Sequence, residues 1–330
     1  MPKQEIILEV KNLVTTFKTD QGVLKAVDGV SFQVGKGKTL GIVGESGCGK
    51  SVTALSVLRL LPKPSGKIES GNIIFDGINL TQYPADQMRR IRGNRISMIF
   101  QEPMTALNPV HYIGKQIQEV YLLHHPERSL SRVYADSIEL LKKIGIPEPE
   151  QRFNDYPHQL SGGMRQRIMI AIALACGPEI LIADEPTTAL DVTIQAQILD
   201  LMKSLQKESG MSIVLITHDL GVIAETCDDV IVMYAGQIVE SASVIDLFRS
   251  PRHPYTKGLL NSIPRLDTPN KQILKTIEGM VPDLRDLPSG CRFQNRCSFA
   301  TAECSRQAPL IEPAGENHSV ACYHWKEIKN

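Results

Sequence analysis

One segment limits the folds open to this chain more than any other. Gly44-Glu45-Ser46-Gly47-Cys48-Gly49-Lys50-Ser51 stands between the apolar run Leu40-Gly41-Ile42-Val43 and a stretch, Val52 to Leu61, whose apolar positions recur at helical spacing up to Pro62. A short apolar run so bounded predicts a fully buried strand, and a strand that turns through glycines into a helix predicts an α/β sheet with crossover connections. The loop also has a mechanism. Gly44, Gly47 and Gly49 leave room for backbone amides to turn inward on phosphate oxygens, at the N-terminus of a helix whose dipole favours anions. Lys50 reaches the β- and γ-phosphates as a point charge, and Ser51 offers a hydroxyl to magnesium. A plain glycine turn with a surface lysine is the competing reading, and the strand before and helix after count against it.

The rest of the chain reads in blocks. Glu5 to Phe17 and Val23 to Val34 have the β-branched, alternating look of paired strands joined by the turn Asp20-Gln21-Gly22. From Thr105 to Tyr156 apolar residues recur at three- and four-residue steps, which predicts a helical insertion. Ile180-Leu181-Ile182-Ala183 and Ile213-Val214-Leu215-Ile216 predict two more buried strands, separated by the helix-like Thr193 to Glu208. After about Arg249 prolines interrupt every longer element, and the texture becomes that of an appended tail.

Composition excludes more than it suggests. Lys+Arg and Asp+Glu are 36 each, so no long-range field argues for a nucleic acid or an anionic membrane as partner. The longest unbroken apolar run, Ile168 to Cys176, is about half of the roughly 18 residues a spanning helix needs. Met1 to Glu5 lack the apolar stretch of a secretory signal, so a cytosolic protein with reduced thiols is expected.

Polar groups at the ends of the apolar runs supply candidates for chemistry. Asp184, closing the run from Ile180, is placed to hold a magnesium shell, and Glu185 beside it to orient or deprotonate an attacking water. His218 and Gln101 stand after Ile216-Thr217 and Met98-Ile99-Phe100, where a group can meet a γ-phosphate and its water. Taken singly, each is as ordinary as a solvated acidic pair, a structural histidine or an exposed glutamine. A second anion site follows from Leu160-Ser161-Gly162-Gly163-Met164: Ser161 caps a helix, and Gly162 and Gly163 bare its amides. One domain does not need two γ-phosphate sites, so this loop is expected to act on the nucleotide of another subunit.

These motifs, in this order over about residues 5 to 250, resemble the nucleotide-binding subunits of ATP-binding cassette (ABC) transporters. The resemblance implies an α/β P-loop ATPase core with an N-terminal antiparallel β subdomain and a helical signature subdomain at about 105–178. It implies ATP contacts from Gly44, Glu45, Ser46, Gly47, Cys48, Gly49, Lys50, Ser51 and Val52, with Phe17 stacking on adenine. Ser51, Gln101 and Asp184 would serve magnesium, Glu185, Gln101 and His218 catalysis, and Ser161, Gly162 and Gly163 a partner's ATP. Asp191 would form the D-loop, in Ala189-Leu190-Asp191. Two positions depart from the family pattern, Met164 in place of glutamine and Cys48 in the phosphate loop.

The tail narrows the resemblance. His253 to Leu260, then Pro288 to Phe293 and Arg296-Cys297, are similar to the C-terminal extension of oligopeptide and dipeptide importer ATPases, and Glu102 to Pro109 is typical of the same group. Cys291, Cys297, Cys304 and Cys322 lie within a segment that has little of its own to bury, and segments that small rarely fold without a metal or disulfides. Four thiolates can hold zinc or a [4Fe-4S] cluster, and Arg292, Arg296 and Arg306 among them would suit its negative charge. The resemblance favours the cluster, as such tails can carry one, although Asn295 and Ser298 stand where the family often has prolines. Residues 251–330 are therefore expected to form a small metal-binding extension after an ATPase domain at 1–250.

The expected function is ATP hydrolysis, with Mg2+, that energises uptake of dipeptides or oligopeptides. Expected partners are a second homologous ATPase, head to tail, two permease subunits and, indirectly, an extracytoplasmic peptide-binding protein. The chain would then sit peripherally on the cytoplasmic face of the membrane. The same machinery importing nickel or another small solute is one alternative, and a soluble cassette ATPase acting on ribosomes or DNA another.

Overall fold

The computed structural model of the chain describes residues 5–101, 106–188, 191–263 and 276–328. Glu102 to Thr105, of the segment after Gln101, and Ala189-Leu190 lie outside the described residues. Two compact units make up the chain, one of residues 1–35, 39–81 and 216–330, the other of 36–38 and 82–215.

The first unit opens with strands β1 (Ile6–Thr19) and β2 (Gly22–Gly35), an antiparallel pair running from Ile6↔Gly35 to Thr19↔Gly22. β3 (Thr39–Val43) leads into helix α1 (Lys50–Val57), after which β4 (Gly66–Phe75) and β5 (Ile78–Asn79) complete a four-stranded sheet in the order β2-β1-β4-β5. Every residue of β3 is buried, as expected of a strand covered on both faces, whereas β1 and β2 mix buried and exposed positions.

The second unit carries β6 (Ile96–Ile99), the helices α2 (Ile113–His124), α3 (Leu130–Lys143), α4 (Pro149–Arg152) and α5 (Gly162–Leu174), then β7 (Ile180–Asp184), α6 (Val192–Ser209) and β8 (Ser212–Ile216). β6 and β7 pair in parallel, Ile96↔Ile180 to Ile99↔Ala183, and β8 lies beside β7. The helical stretch is held by apolar packing: Ile113, Ile117, Val133, Ile138 and Leu141 are buried, and Tyr134 meets Phe153 edge to face at 4.9 Å.

The remaining elements return to the first unit. They are α7 (Leu220–Thr226), β9 (Asp229–Tyr234), β10 (Gln237–Ser243), α8 (Val244–Arg249), α9 (Pro254–Asn261), α10 (Ala302–Arg306), β11 (Glu312–Gly315) and β12 (His318–Val320). Within that unit the strands run β11-β12-β10-β9-β3, with β3 and β9 parallel and β9, β10, β12 and β11 successively antiparallel. The proline-rich tail thus extends a sheet, and its Tyr255 and Phe293 join the core formed by Val43, Val230, Val232 and Tyr234.

Candidate nucleotide site

The phosphate loop has a backbone that glycines adopt freely and other residues rarely do. Gly44, Gly47 and Gly49 have φ of +153, +78 and +103°. A Cβ on Gly44 would lie 2.2 Å from the carbonyl oxygen of Met233, and one on Gly49 2.5 Å from that of Ala26. Gly49 is also the N-cap of α1 and offers no side chain to its first turn, so the amides there stay open to a ligand. Lys50 is buried, and its Nζ donates to the carbonyls of Gly44 at 2.8 Å and Glu45 at 3.1 Å. A buried ammonium curled inside a ring of glycines, at a helix start, fits a phosphate group. Cys48 is fully buried, and burial pushes its thiol up against the pull of Lys50, which keeps it neutral. Phe17 lies on β1, half-buried, opposite Leu24 and Gly66. His218 follows β8 and is exposed, and Asp219 after it caps α7 through Gly221 N at 2.7 Å.

The second unit gathers another set. Asp184 ends β7 and is buried, and Glu185 follows with φ of 47°. Its Oε2 accepts from Gln101 Nε2 at 3.1 Å and from Thr188 Oγ1 at 3.0 Å, so the glutamine and the carboxylate meet although 84 positions separate them. A positive φ on a non-glycine residue is costly and marks a position held by its surroundings. Ser161 caps α5 by accepting from Met164 N at 3.3 Å, and Gly162 has open space where a side chain would be. Gln166 of the same helix donates to the carbonyl of Pro186, so the signature helix and the Glu185 turn are tied. Asp191 caps α6 through Ile194 N at 3.0 Å.

A glycine loop closed around its own lysine, between a buried parallel strand and a helix, defines a P-loop ATPase fold. Comparison with known proteins carries the identification further. Residues 27–188 match the ABC transporter family, and residues 239–304 match the oligopeptide/dipeptide transporter C-terminal region. A protein of Sinorhizobium fredii named a probable peptide ABC transporter ATP-binding protein is 53% identical over all of this chain and 98% of its own length. The dipeptide transport ATP-binding protein DppD of Bacillus subtilis is 51% identical over 97% of this chain and 95% of its own. Among solved structures, a dimeric ATP-binding cassette in a post-hydrolysis state with ADP and Pi superposes with a TM-score of 0.65 at 28% identity, covering 72% of this chain and 98% of that one. The chain belongs to the ABC transporter ATPases with the oligopeptide/dipeptide C-terminal region, and it hydrolyses ATP in a peptide transporter.

One expectation is overturned. Among the described residues no three or more His, Cys, Asp or Glu side chains stand where they could hold a metal ion, so the [4Fe-4S] or zinc site on Cys291, Cys297, Cys304 and Cys322 is withdrawn, and with it a metal-binding extension. The four line one pocket with His253 and Phe293, but as unbridged thiols, and burial raises Cys291, Cys297 and, to about 12, Cys322. The premise fails physically: the tail does not fold on its own small core. Phe293 packs into the core of its unit, and β12 pairs with β10, Glu240↔Val320. The arginines do not serve a cluster either. Arg292 binds Asp28 and the carbonyl of Ala235, Arg296 binds Glu45, and Arg306 is exposed. Tyr255, read in the sequence only as part of a tail motif, accepts from the Glu45 backbone N–H at 2.8 Å. The cue available in the sequence was an acid inside a phosphate loop, which needs a cation to offset it.

Proposed function

We propose that this chain drives import of dipeptides or oligopeptides by binding ATP on the loop Gly44–Ser51 and hydrolysing it against the signature loop of a second, homologous ATPase. The observation that carries the reading is Lys50, buried and bonded to two carbonyls of its own loop where phosphate oxygens would replace them. Lys50 and the loop amides hold the phosphates, and Phe17 stacks on the base. Ser51, Gln101 and Asp184 are the residues that would hold magnesium and its water. The ion, when bound, offsets the charge that develops on the phosphate oxygens.

Glu185 takes the proton of the attacking water. Its bond from Gln101 supports this role, because the same glutamine amide can turn the water toward the carboxylate. His218 senses the γ-phosphate. Ser161, Gly162 and Gly163 face the partner's ATP, with Asp191 at the joint between the two. The dimeric state of the superposed cassette supports a pair, and relatives named as transport ATP-binding proteins support permease subunits as further partners. No helix among the described residues is long and apolar enough to cross a membrane, which suits a chain that docks on a permease from the cytoplasmic face.

Replacing Glu185 with Gln should leave ATP binding intact and lower hydrolysis in the assembled importer on the order of 10²-fold or more. Undiminished hydrolysis in that variant would remove Glu185 from the role of base.

A further inference from the structure

The phosphate loop carries an acid of its own, and the tail answers it. Glu45 sits between Gly44 and Ser46, in the loop that must receive a polyanion. Its carboxylate is held by Arg296 in a two-pronged pair, Nη1 to Oε2 at 2.6 Å and Nη2 to Oε1 at 3.0 Å. The arginine side chain is only 4% exposed. It spends every N–H on this arrangement: Nε donates to the carbonyl of Glu278 at 3.0 Å, Nη2 also to that of Ile277 at 3.3 Å, and Nη1 also to the hydroxyl of Tyr234 at 3.4 Å. Tyr234 and Phe293 lie beneath it, with ring centroids 5.8 and 5.9 Å from the guanidinium carbon. The backbone of the same residue is held from the same side, because Glu45 N donates to Tyr255 Oη at 2.8 Å and Tyr255 is fully buried. Both the charge and the amide of Glu45 are therefore set by residues far along the chain, in the C-terminal region.

We propose that Arg296 is a positioning residue for the nucleotide: by neutralising Glu45 and fixing its place, the C-terminal extension sets the affinity of the phosphate loop for ATP. The proposal rests on the reading that Gly44–Ser51 binds ATP. A carboxylate stripped of its partner in that loop repels phosphate oxygens, and a half-buried one is screened little. Removing the arginine thus weakens binding through charge, and removing the charge of Glu45 as well restores it. A support that acted only through packing would show no such recovery.

The test is ATP hydrolysis by the assembled importer, with KM and kcat separated, and melting of each variant to confirm folding. Arg296→Ala should raise KM for ATP about ten-fold, with kcat within about two-fold of wild type. The double variant Arg296→Ala with Glu45→Gln should lower KM again by about three-fold or more relative to Arg296→Ala alone. Arg296→Lys keeps the charge without the fork and should raise KM only about three-fold, which keeps the proposal testable if the alanine variant does not fold. An unchanged KM in Arg296→Ala, or an equal loss in the single and double variants, overturns the proposal. Lys50→Ala serves as the separate control: if it still binds ATP, the loop reading itself fails, whatever Arg296 does.

Discussion

At position 49 a single methyl group decides between a phosphate loop and a strained turn. The Cβ of an alanine there would stand 2.5 Å from the Ala26 carbonyl oxygen, on a backbone with φ of +103°. The carbonyl belongs to β2 and cannot swing aside as a flexible side chain would. Conformations of that kind cost a non-glycine residue about 1–3 kcal/mol even where there is space. Gly49→Ala should therefore lower stability by about 2 kcal/mol or more and weaken ATP binding at least ten-fold, since Gly49 also opens α1 and sets its first amides. Melting and equilibrium binding of ATP check the two effects, and an alanine variant with wild-type affinity would show that the loop tolerates another path. Glycine spacing is local information, so this part of the site was legible in the sequence before any fold was known.

Elements of the tail carry a different kind of information. His253 caps α9, its Nδ1 accepting from Tyr255 N at 3.1 Å, and it is 1% exposed. Burial pushes its imidazole down to about 4, while Glu240 nearby pulls the other way and Phe293 packs on it at 5.7 Å. Glu240 is itself buried, accepting from Arg252 N at 2.6 Å, His253 N at 3.0 Å and His318 Nε2 at 2.8 Å. An unfolded histidine titrates near 6.5, so between about pH 6.5 and 4 the unfolded chain binds a proton that the folded His253 refuses. Stability is complete above that window and falls as pH drops through it. His253→Asn keeps an acceptor for the cap and has nothing to titrate. Between pH 7 and 5 the wild type should lose roughly 1–2 kcal/mol more than the variant, read from urea midpoints. Equal losses would remove His253 as the source. None of this was legible in the sequence, where His253-Pro254-Tyr255 marks a helix start at most. The contacts that define it join Glu240 to His253 and to His318, and no periodicity reports contacts across such separations. The cysteine spacing misled for a related reason, as it was weighed without the core the tail packs on.

The first unit as a whole then treats residues 251–330 as part of its own structure. Their β12 covers the edge of β10, Phe293 meets Tyr234 edge to face at 5.2 Å, and Arg292 reaches Asp28 at the sheet of β1 and β2. A chain ending at Ser250 loses all of these together. An edge of β10 is bared, Tyr234 loses its aromatic partners, and Glu240 stays buried without the His253 and His318 donors. Each stranded polar group costs about 1–3 kcal/mol, and an open strand edge invites pairing with other chains. Losses of that size add to several kcal/mol, which in a chain of this length lowers Tm by about 10 °C or more. The shortened chain should accordingly melt early and elute as aggregate on size exclusion, and residues 251–330 alone should show no cooperative melt, having left their core behind. A monomeric 1–250 chain melting within about 2 °C of the full protein would mean instead that the tail is an ornament on a finished domain.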